Sequence, residues 1–217
     1  MIIVILMRFD RAGLPFVMLF LLPAIYLFLN NWTVSGTVML VAGTLCALFF
    51  RDPKRNPPND TNVAVAPADG RVIHAGEGEP GICPEGLWYQ VSVFLSPLNV
   101  HVNRCPVGGS VVEVSYQAGK KLAAFSKRSA AENERSEITI DHNGKLVIFR
   151  QVVGLLARRV VCRISPGMTV AQGQRFGIMK FGSRMDVFVP RSSTLLVSVG
   201  DLVVGGETVI ARLNEEQ

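Results

Sequence analysis

The chain has 217 residues, a formal net charge of +5 and four cysteines. A domain usually has about 100–200 residues, so this length suits one soluble domain with an appendage. The positive charge is spread along the chain without aromatic interleaving or a recognised nucleic-acid module, so we predict no nucleic-acid partner. The cysteines are scattered without a Cys-x-x-Cys pair, and we therefore predict no metal site.

Two apolar segments, Leu14 to Leu29 and Trp32 to Phe50, contain no charged side chain and are separated only by Asn30-Asn31. Each approaches the roughly 20 residues that cross a bilayer, the first being on the short side. Basic residues, which stay on the cytoplasmic side, flank the pair at both ends: Arg8, Arg11, Arg51, Lys54 and Arg55. The sequence predicts a membrane-anchoring helical hairpin over residues 1–50, with the rest of the chain on the cytoplasmic face of the cell membrane.

Two alternatives concern this hairpin. A removable signal peptide is disfavoured, because no small-residue cleavage site with a polar mature start follows the first apolar segment. Pro23, Gly36 and Gly43 leave open a bent hairpin that enters one leaflet and returns without spanning. The sequence does not choose between spanning and dipping.

A polar, proline-rich linker over residues 51–60 ends the second helix. Residues 61–217 then carry short runs rich in Val and Ile between Gly, Pro, Asn and Asp, which is typical of an all-β or mostly β sandwich or barrel. The predicted strands are Val63–Ala66, Arg71–Ala75, Tyr89–Leu95, Gly109–Tyr116, Glu137–Asp141, Leu146–Val153, Arg159–Ile164, Met185–Val189, Thr194–Val199 and Thr208–Leu213.

A faint internal repeat relates residues 165–174 to residues 198–207 through a shared Gly-x-x-Val-x-x-Gly pattern. This pattern is similar to that of the flattened hammerhead barrels that carry biotin or lipoyl groups. Lys180 lies between the two copies, so a membrane-anchored carrier or adaptor domain modified at Lys180 is the alternative function. Biotin carriers place methionine on both sides of the lysine, whereas this chain has Phe181.

The Gly182-Ser183 pair lies between two β-like runs and has the groups needed for self-cleavage. The Ser183 hydroxyl attacks the Gly182 carbonyl, an ester replaces the amide, and β-elimination leaves a dehydroalanine that hydrolyses to a pyruvoyl group. A base and oxyanion donors are required, and glycine tolerates the backbone strain. A hairpin turn with serine at its tip is the plain alternative.

Several segments together resemble the short (archaeal-type, type A) form of the phosphatidylserine decarboxylase family: Ala66–Gly70, Phe94–His101, Asn133–Arg135, Gly154–Arg159 and Gly173–Pro190. The resemblance implies cleavage at Gly182/Ser183 and a pyruvoyl cofactor derived from Ser183. It also implies a β chain of residues 1–182 and an α chain of residues 183–217. We expect the two chains to stay associated because Met185–Val189 is predicted as an interior strand, and a higher oligomer is left open. The implied reaction, part of phospholipid biosynthesis, converts phosphatidylserine into phosphatidylethanolamine through a pyruvoyl Schiff base.

The resemblance also implies roles for His101, the functional histidine after the Ser-Pro pair, and for Asp69. In longer relatives an Asp, a His and the cleavage Ser form a relay in which the carboxylate fixes the imidazole tautomer. Those relatives carry a second histidine three residues after the first, where this chain has Arg104, so the base for cleavage is left open. His74 and His142 have neighbours typical of exposed turns and receive no role.

Overall fold

The computed structural model describes residues 8–119, 133–154, 160–179 and 183–214. The chain divides into two compact units, and the division falls between Lys54 and Arg55. The first unit is helical and the second is built from strands, so the prediction of a mostly β chain with an N-terminal helical segment is confirmed. The lipoyl-like hammerhead features stay a prediction.

The first unit has a 3-10 turn, Arg11–Gly13, followed by α1 (Leu14–Leu29) and α2 (Thr33–Phe49). The Asp10 carboxylate accepts a hydrogen bond from the Ala12 amide and caps the turn. Gly43 lies beside Phe20, since a Cβ there would be 3.3 Å from the Phe20 Cβ. Small residues of this kind let two helices pack closely.

Arg11–Leu29 is long and apolar enough to cross a membrane, whereas Thr33–Phe49 is a shorter apolar helix. Large apolar side chains on both helices are exposed, among them Leu19, Leu29 and Val34. Exposed apolar surface of this extent marks an interaction site for another apolar phase or partner.

The second unit has these strands: β1 (Val63–Val65), β2 (Gly70–Glu77), β3 (Trp88–Leu95), β4 (Val102–Arg104), β5 (Gly109–Gln117), β6 (Arg135–His142), β7 (Lys145–Val153), β8 (Val160–Cys162), β9 (Thr169–Val170), β10 (Arg175–Met179), β11 (Ser183–Pro190), β12 (Thr194–Leu195), β13 (Leu202–Val203) and β14 (Val209–Arg212). Among the described residues they form an eight-stranded sheet, β13-β2-β3-β11-β7-β6-β5-β9, and two three-stranded sheets, β1-β14-β12 and β4-β10-β8.

Strand β11 lies inside the large sheet, antiparallel to β3 on one side and to β7 on the other. Its side chains alternate, so Met185, Val187 and Val189 enter the core while Arg184 and Asp186 lie on the opposite face. We call the core side the inner face and the opposite side the outer face. Each fully buried large apolar side chain contributes about 1.5–3 kcal/mol to folding.

The sheet β4-β10-β8 packs against the inner face of the large sheet. Phe149 of β7 and Phe176 of β10 are both fully buried, and their rings meet edge to face with centroids 5.0 Å apart. The side chains of Phe149 and Phe176 are therefore enclosed between the two sheets.

The predicted strands differ from the observed ones mainly where strands are short. Strands β4, β9, β10 and β13 were not predicted; three of them have two or three residues, and Gly177 interrupts the pattern of β10. The predicted strand Thr194–Val199 is formed only at Thr194–Leu195. The prediction that His142 lies in an exposed turn was wrong, since His142 is buried and its Nδ1 is 2.6 Å from the Gly108 carbonyl oxygen.

Candidate active site

The site is built around position 183, the first residue of β11. Its backbone is in register with Leu95 of β3 and Val153 of β7, whose side chains are both buried. Gly182, the predicted cleavage partner, lies outside the described residues. Lys180, the predicted modification site of the alternative function, also lies outside them. Position 183 is therefore fixed by two neighbouring strands.

The structure brings His101 to the strand that leads into this position. His101 is fully buried, and its carbonyl oxygen accepts a hydrogen bond of 3.2 Å from the Met179 amide. Met179 ends β10 and precedes Ser183 by four residues. An extended chain spans at most about 3.6 Å per residue, so the Cα atoms of Met179 and Ser183 are within about 14 Å of each other.

The tautomer of His101 is set by the backbone. His101 Nδ1 lies 2.9 Å from the Asn99 carbonyl oxygen, which can only accept, so Nδ1 carries the proton. The neutral ring then has its lone pair on Nε2, the form required of a general base. The Asn99 side chain holds this loop in shape by accepting a hydrogen bond of 2.8 Å from the Ser96 amide.

Asp69 lies in the turn between β1 and β2 and has two partners. One carboxylate oxygen accepts from Arg55 at 2.7 Å and the other from the Gly205 amide at 2.8 Å. Arg55 also lies 3.6 Å from Glu207. No hydrogen bond joins Asp69 to His101 in the described part of the chain.

Arg104, in the slot of the second histidine, borders the same turn as Asp69. It is buried, its Nη1 donates to the Gly173 carbonyl at 3.1 Å, and a Cβ at Gly206 would lie 2.7 Å from its Cδ. Arg104 is the last residue of β4, three residues after His101, which precedes the strand. Its guanidinium stays protonated and cannot serve as a base.

Two buried amides, Asn103 and Gln151, were missed by the sequence analysis. Gln151 Nε2 donates to Asn103 Oδ1 at 2.8 Å, and both side chains are fully buried between the sheets. Gln151 is in register with Met185, two residues from the Val153–Ser183 pair. The signal was a polar residue at a core position of the apolar run Leu146–Val153.

Charged residues on the outer face were also missed. Arg184 Nε lies 2.5 Å from Asp186 Oδ1, and its Nη2 donates to Ser92 Oγ at 2.9 Å and lies 3.5 Å from Glu79. Further along, Arg150 pairs with Glu137. These contacts fix β11 directly beside position 183.

Burial and neighbouring charge shift the pKa values of Cys105 and Arg135. Burial, with Cys162 nearby, raises the pKa of the Cys105 thiol to about 12. Burial and the Arg150 guanidinium lower the pKa of Arg135, and Glu137 and Asp186 oppose this. The described residues include no group of three or more His, Cys, Asp or Glu side chains placed to hold a metal ion.

Comparison with known proteins assigns the chain to a family. The phosphatidylserine decarboxylase family model matches residues 42–211. The chain belongs to the phosphatidylserine decarboxylase family. It is 42% identical to the phosphatidylserine decarboxylase proenzyme of Wolbachia pipientis wMel, over 95% of this chain and 92% of the relative.

Two further relatives carry the same printed name. The chain is 40% identical to the phosphatidylserine decarboxylase proenzyme of Paramagnetospirillum magneticum, over 96% of this chain and 88% of the relative. It is 45% identical to that of Chlorobium chlorochromatii, over 83% and 84% of the two chains. Family membership therefore extends over most of the chain, including β11 and the segment around His101.

Proposed function

We propose that this chain is a proenzyme that cleaves itself at Gly182/Ser183 and then decarboxylates phosphatidylserine to phosphatidylethanolamine in phospholipid biosynthesis. Membership of the family and the names of the relatives support the reaction. The observation that carries the assignment to this site is the placement of His101, with a defined tautomer, beside the strand end that leads to Ser183.

In the proposed cleavage, His101 Nε2 takes the proton of the Ser183 hydroxyl, and the oxygen attacks the Gly182 carbonyl carbon. The peptide bond is replaced by an ester. Loss of the Ser183 α-proton then expels Gly182 as a carboxylate and leaves dehydroalanine. Water converts the dehydroalanine into a pyruvoyl group and releases ammonia.

The residues present fit a pyruvoyl group at position 183. The backbone there is held between β3 and β7, and the buried amides of Asn103 and Gln151 provide polar groups nearby. A pyruvoyl group supplies an electron sink for the pair left behind when carbon dioxide departs. His101, which is fully buried, is the proposed donor of the proton that replaces the carboxylate.

Asp69 is the third proposed catalytic residue. Arg55 and Gly205 use two of the roughly four lone-pair directions of its carboxylate, which leaves acceptor capacity for a relay with the base. The Asn99 carbonyl already sets the His101 tautomer, so a relay through Asp69 would contribute charge stabilisation.

The two proposed chains should remain together as a heterodimer. Strand β11, which begins the α chain, is hydrogen-bonded to β3 and β7 of the β chain, and its Val187 and Phe188 are buried. The apolar helices of the first unit support a membrane location, with the β domain on the cytoplasmic face of the cell membrane. A diacyl lipid substrate fits such an anchor.

Intact mass spectrometry of the purified protein tests the proposal, with Ser183→Ala as the variant and Ser192→Ala, at an exposed serine on the same chain, as the control. Wild type and control should give fragments 1–182 and 183–217, the smaller reacting with hydroxylamine, while Ser183→Ala stays whole. The cleaved protein should release carbon dioxide from phosphatidylserine in mixed micelles. An uncut wild-type chain would overturn self-processing, and a mass increment on Lys180 would favour the carrier alternative.

A further inference from the structure

The amides of Asn103 and Gln151 each retain one polar group that no described residue satisfies. Gln151 Nε2 donates to Asn103 Oδ1, while Asn103 Nδ2 and Gln151 Oε1 are buried without a hydrogen-bond partner in the described part of the chain. Buried polar groups are nearly always paired, and leaving one unpaired lowers stability. The pair therefore holds one spare donor and one spare acceptor, both buried.

The direction of both amides follows from their surroundings. Gln151 Nε2 also lies 3.4 Å from the Val161 carbonyl oxygen. A carbonyl oxygen attracts the NH2 end of an amide and repels its oxygen, so Val161 determines which end of Gln151 faces it. Gln151 Nε2 must then donate to Asn103 Oδ1, which leaves the Asn103 NH2 group as the spare donor.

The pair lies between His101 and the strand that bears position 183. Asn103 is the middle residue of β4, and His101 comes directly before that strand, so their Cα atoms are at most about 7 Å apart. Gln151 is the diagonal neighbour of position 183, because Ser183 is opposite Val153 and Met185 is opposite Gln151. Diagonal neighbours are separated by about 7–8 Å, a distance that a small headgroup spans.

Gly177 permits a close approach of β10 to Val161 and Gln151. It lies in the middle of β10 in register with Asn103 of β4. A Cβ at this position would lie 2.2 Å from the Val161 carbonyl oxygen and 2.8 Å from Gln151 Nε2. A glycine inside a strand often marks such a close approach.

We propose that Asn103 and Gln151 form a headgroup subsite for an α-amino acid group, with Asn103 Nδ2 donating to the substrate carboxylate and Gln151 Oε1 accepting from its amino group. The proposal rests on the proposed function, under which that group is the serine headgroup of phosphatidylserine. One spare donor and one spare acceptor match a carboxylate and an ammonium. Phosphatidylethanolamine lacks the carboxylate, so the product loses the contact with Asn103.

The test combines Asn103→Leu with Gln151→Met and uses Gln90→Met as the matched control. Gln90 is equally buried in the same large sheet, but it lies on the outer face and both ends of its amide are paired, with the Glu79 amide and Ser92 Oγ. The measurements are self-cleavage by intact mass, the content of hydroxylamine-reactive groups, Tm, and KM and kcat for phosphatidylserine in mixed micelles.

The double variant should be cleaved and should melt at or above the wild-type Tm, because apolar replacements remove two unsatisfied groups. Its KM for phosphatidylserine should rise about 10-fold or more, as expected for lost hydrogen bonds to charged groups. Gln90→Met should lower Tm and leave KM unchanged. Glycerophosphoserine should inhibit the wild type more strongly than glycerophosphoethanolamine, and the double variant should lose this difference.

A KM within two-fold of wild type would overturn the subsite, as would an uncut double variant, which would assign the pair to self-processing instead. If the double variant is insoluble, Asn103→Ser is the second variant, because serine is smaller and can still donate a hydrogen bond. The KM of Asn103→Ser should be raised less than that of Asn103→Leu. An equal KM for Asn103→Ser and Asn103→Leu, close to the wild-type value, would also overturn it. A cleaved wild type without phosphatidylserine decarboxylation would instead refute the proposed function, so the two failures are distinguishable.

Discussion

The two faces of the large sheet differ in how fully their buried polar side chains are paired. On the outer face Arg184 contacts Asp186, Ser92 and Glu79. One oxygen of Asp186 has no hydrogen bond, but the negative charge of Asp186 is balanced by Arg184 and, at longer range, by Arg135. On the inner face the neutral amides of the subsite are paired once and left with spare groups. Burying an uncompensated charge costs far more than leaving an amide half paired.

This difference assigns separate tasks to the two faces. The charged network on the outer face fixes β11 and thereby position 183, whereas the amides on the inner face are available for binding. Sites that bind ligands often retain groups that lower the stability of the free protein. Substitutions on the outer face should therefore affect stability, and substitutions on the inner face should affect substrate recognition.

The largest loss of stability is expected from Arg184→Met, measured by urea unfolding in the Ser183→Ala background, which should not cleave. Removing the guanidinium leaves the Asp186 carboxylate buried without its main partner, which should reduce the free energy of unfolding by about 3–5 kcal/mol. Arg184→Met combined with Asp186→Leu should recover most of the loss. A reduction below about 1 kcal/mol for the single variant would contradict the role given to this pair.

The next effect is expected from Gly177→Ala, which introduces a Cβ against the Val161 carbonyl and the Gln151 amide. Overpacking at this point should reduce the free energy of unfolding by about 1–3 kcal/mol and should also raise KM for phosphatidylserine. Gly76→Ala is the control, because the nearest atom to its Cβ would be 4.0 Å away. Equal unfolding free energies for the two variants would argue against crowding at Gly177.

A smaller effect is expected at Asp69 and Arg55, whose side chains are mostly buried at 17% and 13% exposure. Arg55→Met should reduce the free energy of unfolding by about 1–2 kcal/mol and leave self-cleavage intact, since the carboxylate remains.

Asp69→Asn should slow cleavage, as followed by the fraction of uncut chain over time. Equal cleavage rates for Asp69→Asn and wild type would remove Asp69 from the proposed catalytic residues.

An exposed ion pair provides the matched comparison for Arg55. Arg212 lies 3.2 Å from Asp60, and both side chains are well exposed. Arg212→Met should change the free energy of unfolding by less than about 0.5 kcal/mol. A loss as large as that of Arg55→Met would show that burial does not distinguish these pairs.

The last prediction concerns the stability of the protein at alkaline pH. Burial raises the pKa of Cys105 from 9.0 to about 12, so the folded state keeps the proton that the unfolded chain releases. Stability from this group is complete below pH 9 and falls as the pH rises towards 12, by about 1 kcal/mol between pH 9 and pH 10. Cys105→Ala should remove this part of the pH dependence in urea unfolding, and Cys83→Ala should retain it.

The sequence predicts the long strands well because their evidence is local. The apolar runs at Tyr89–Leu95 and Leu146–Val153 correspond to β3 and β7, and Asn143-Gly144 forms the turn before β7 with φ values of 54° and 84°. His142 was misjudged because its buried position depends on Gly108, which is distant in sequence. Short strands such as β4 carry too few residues for alternation to be recognised.

For the site, the sequence by itself supplied the family and the residues of the proposed chemistry, which are a Gly-Ser pair and a histidine after Ser-Pro. Only the tertiary structure decided that β11 lies between β3 and β7, that the Asn99 carbonyl sets the His101 tautomer, and that Asn103 meets Gln151. The physical reason is that the hydrogen-bond partners of a strand are chosen by sheet order and register, which join residues far apart in the chain.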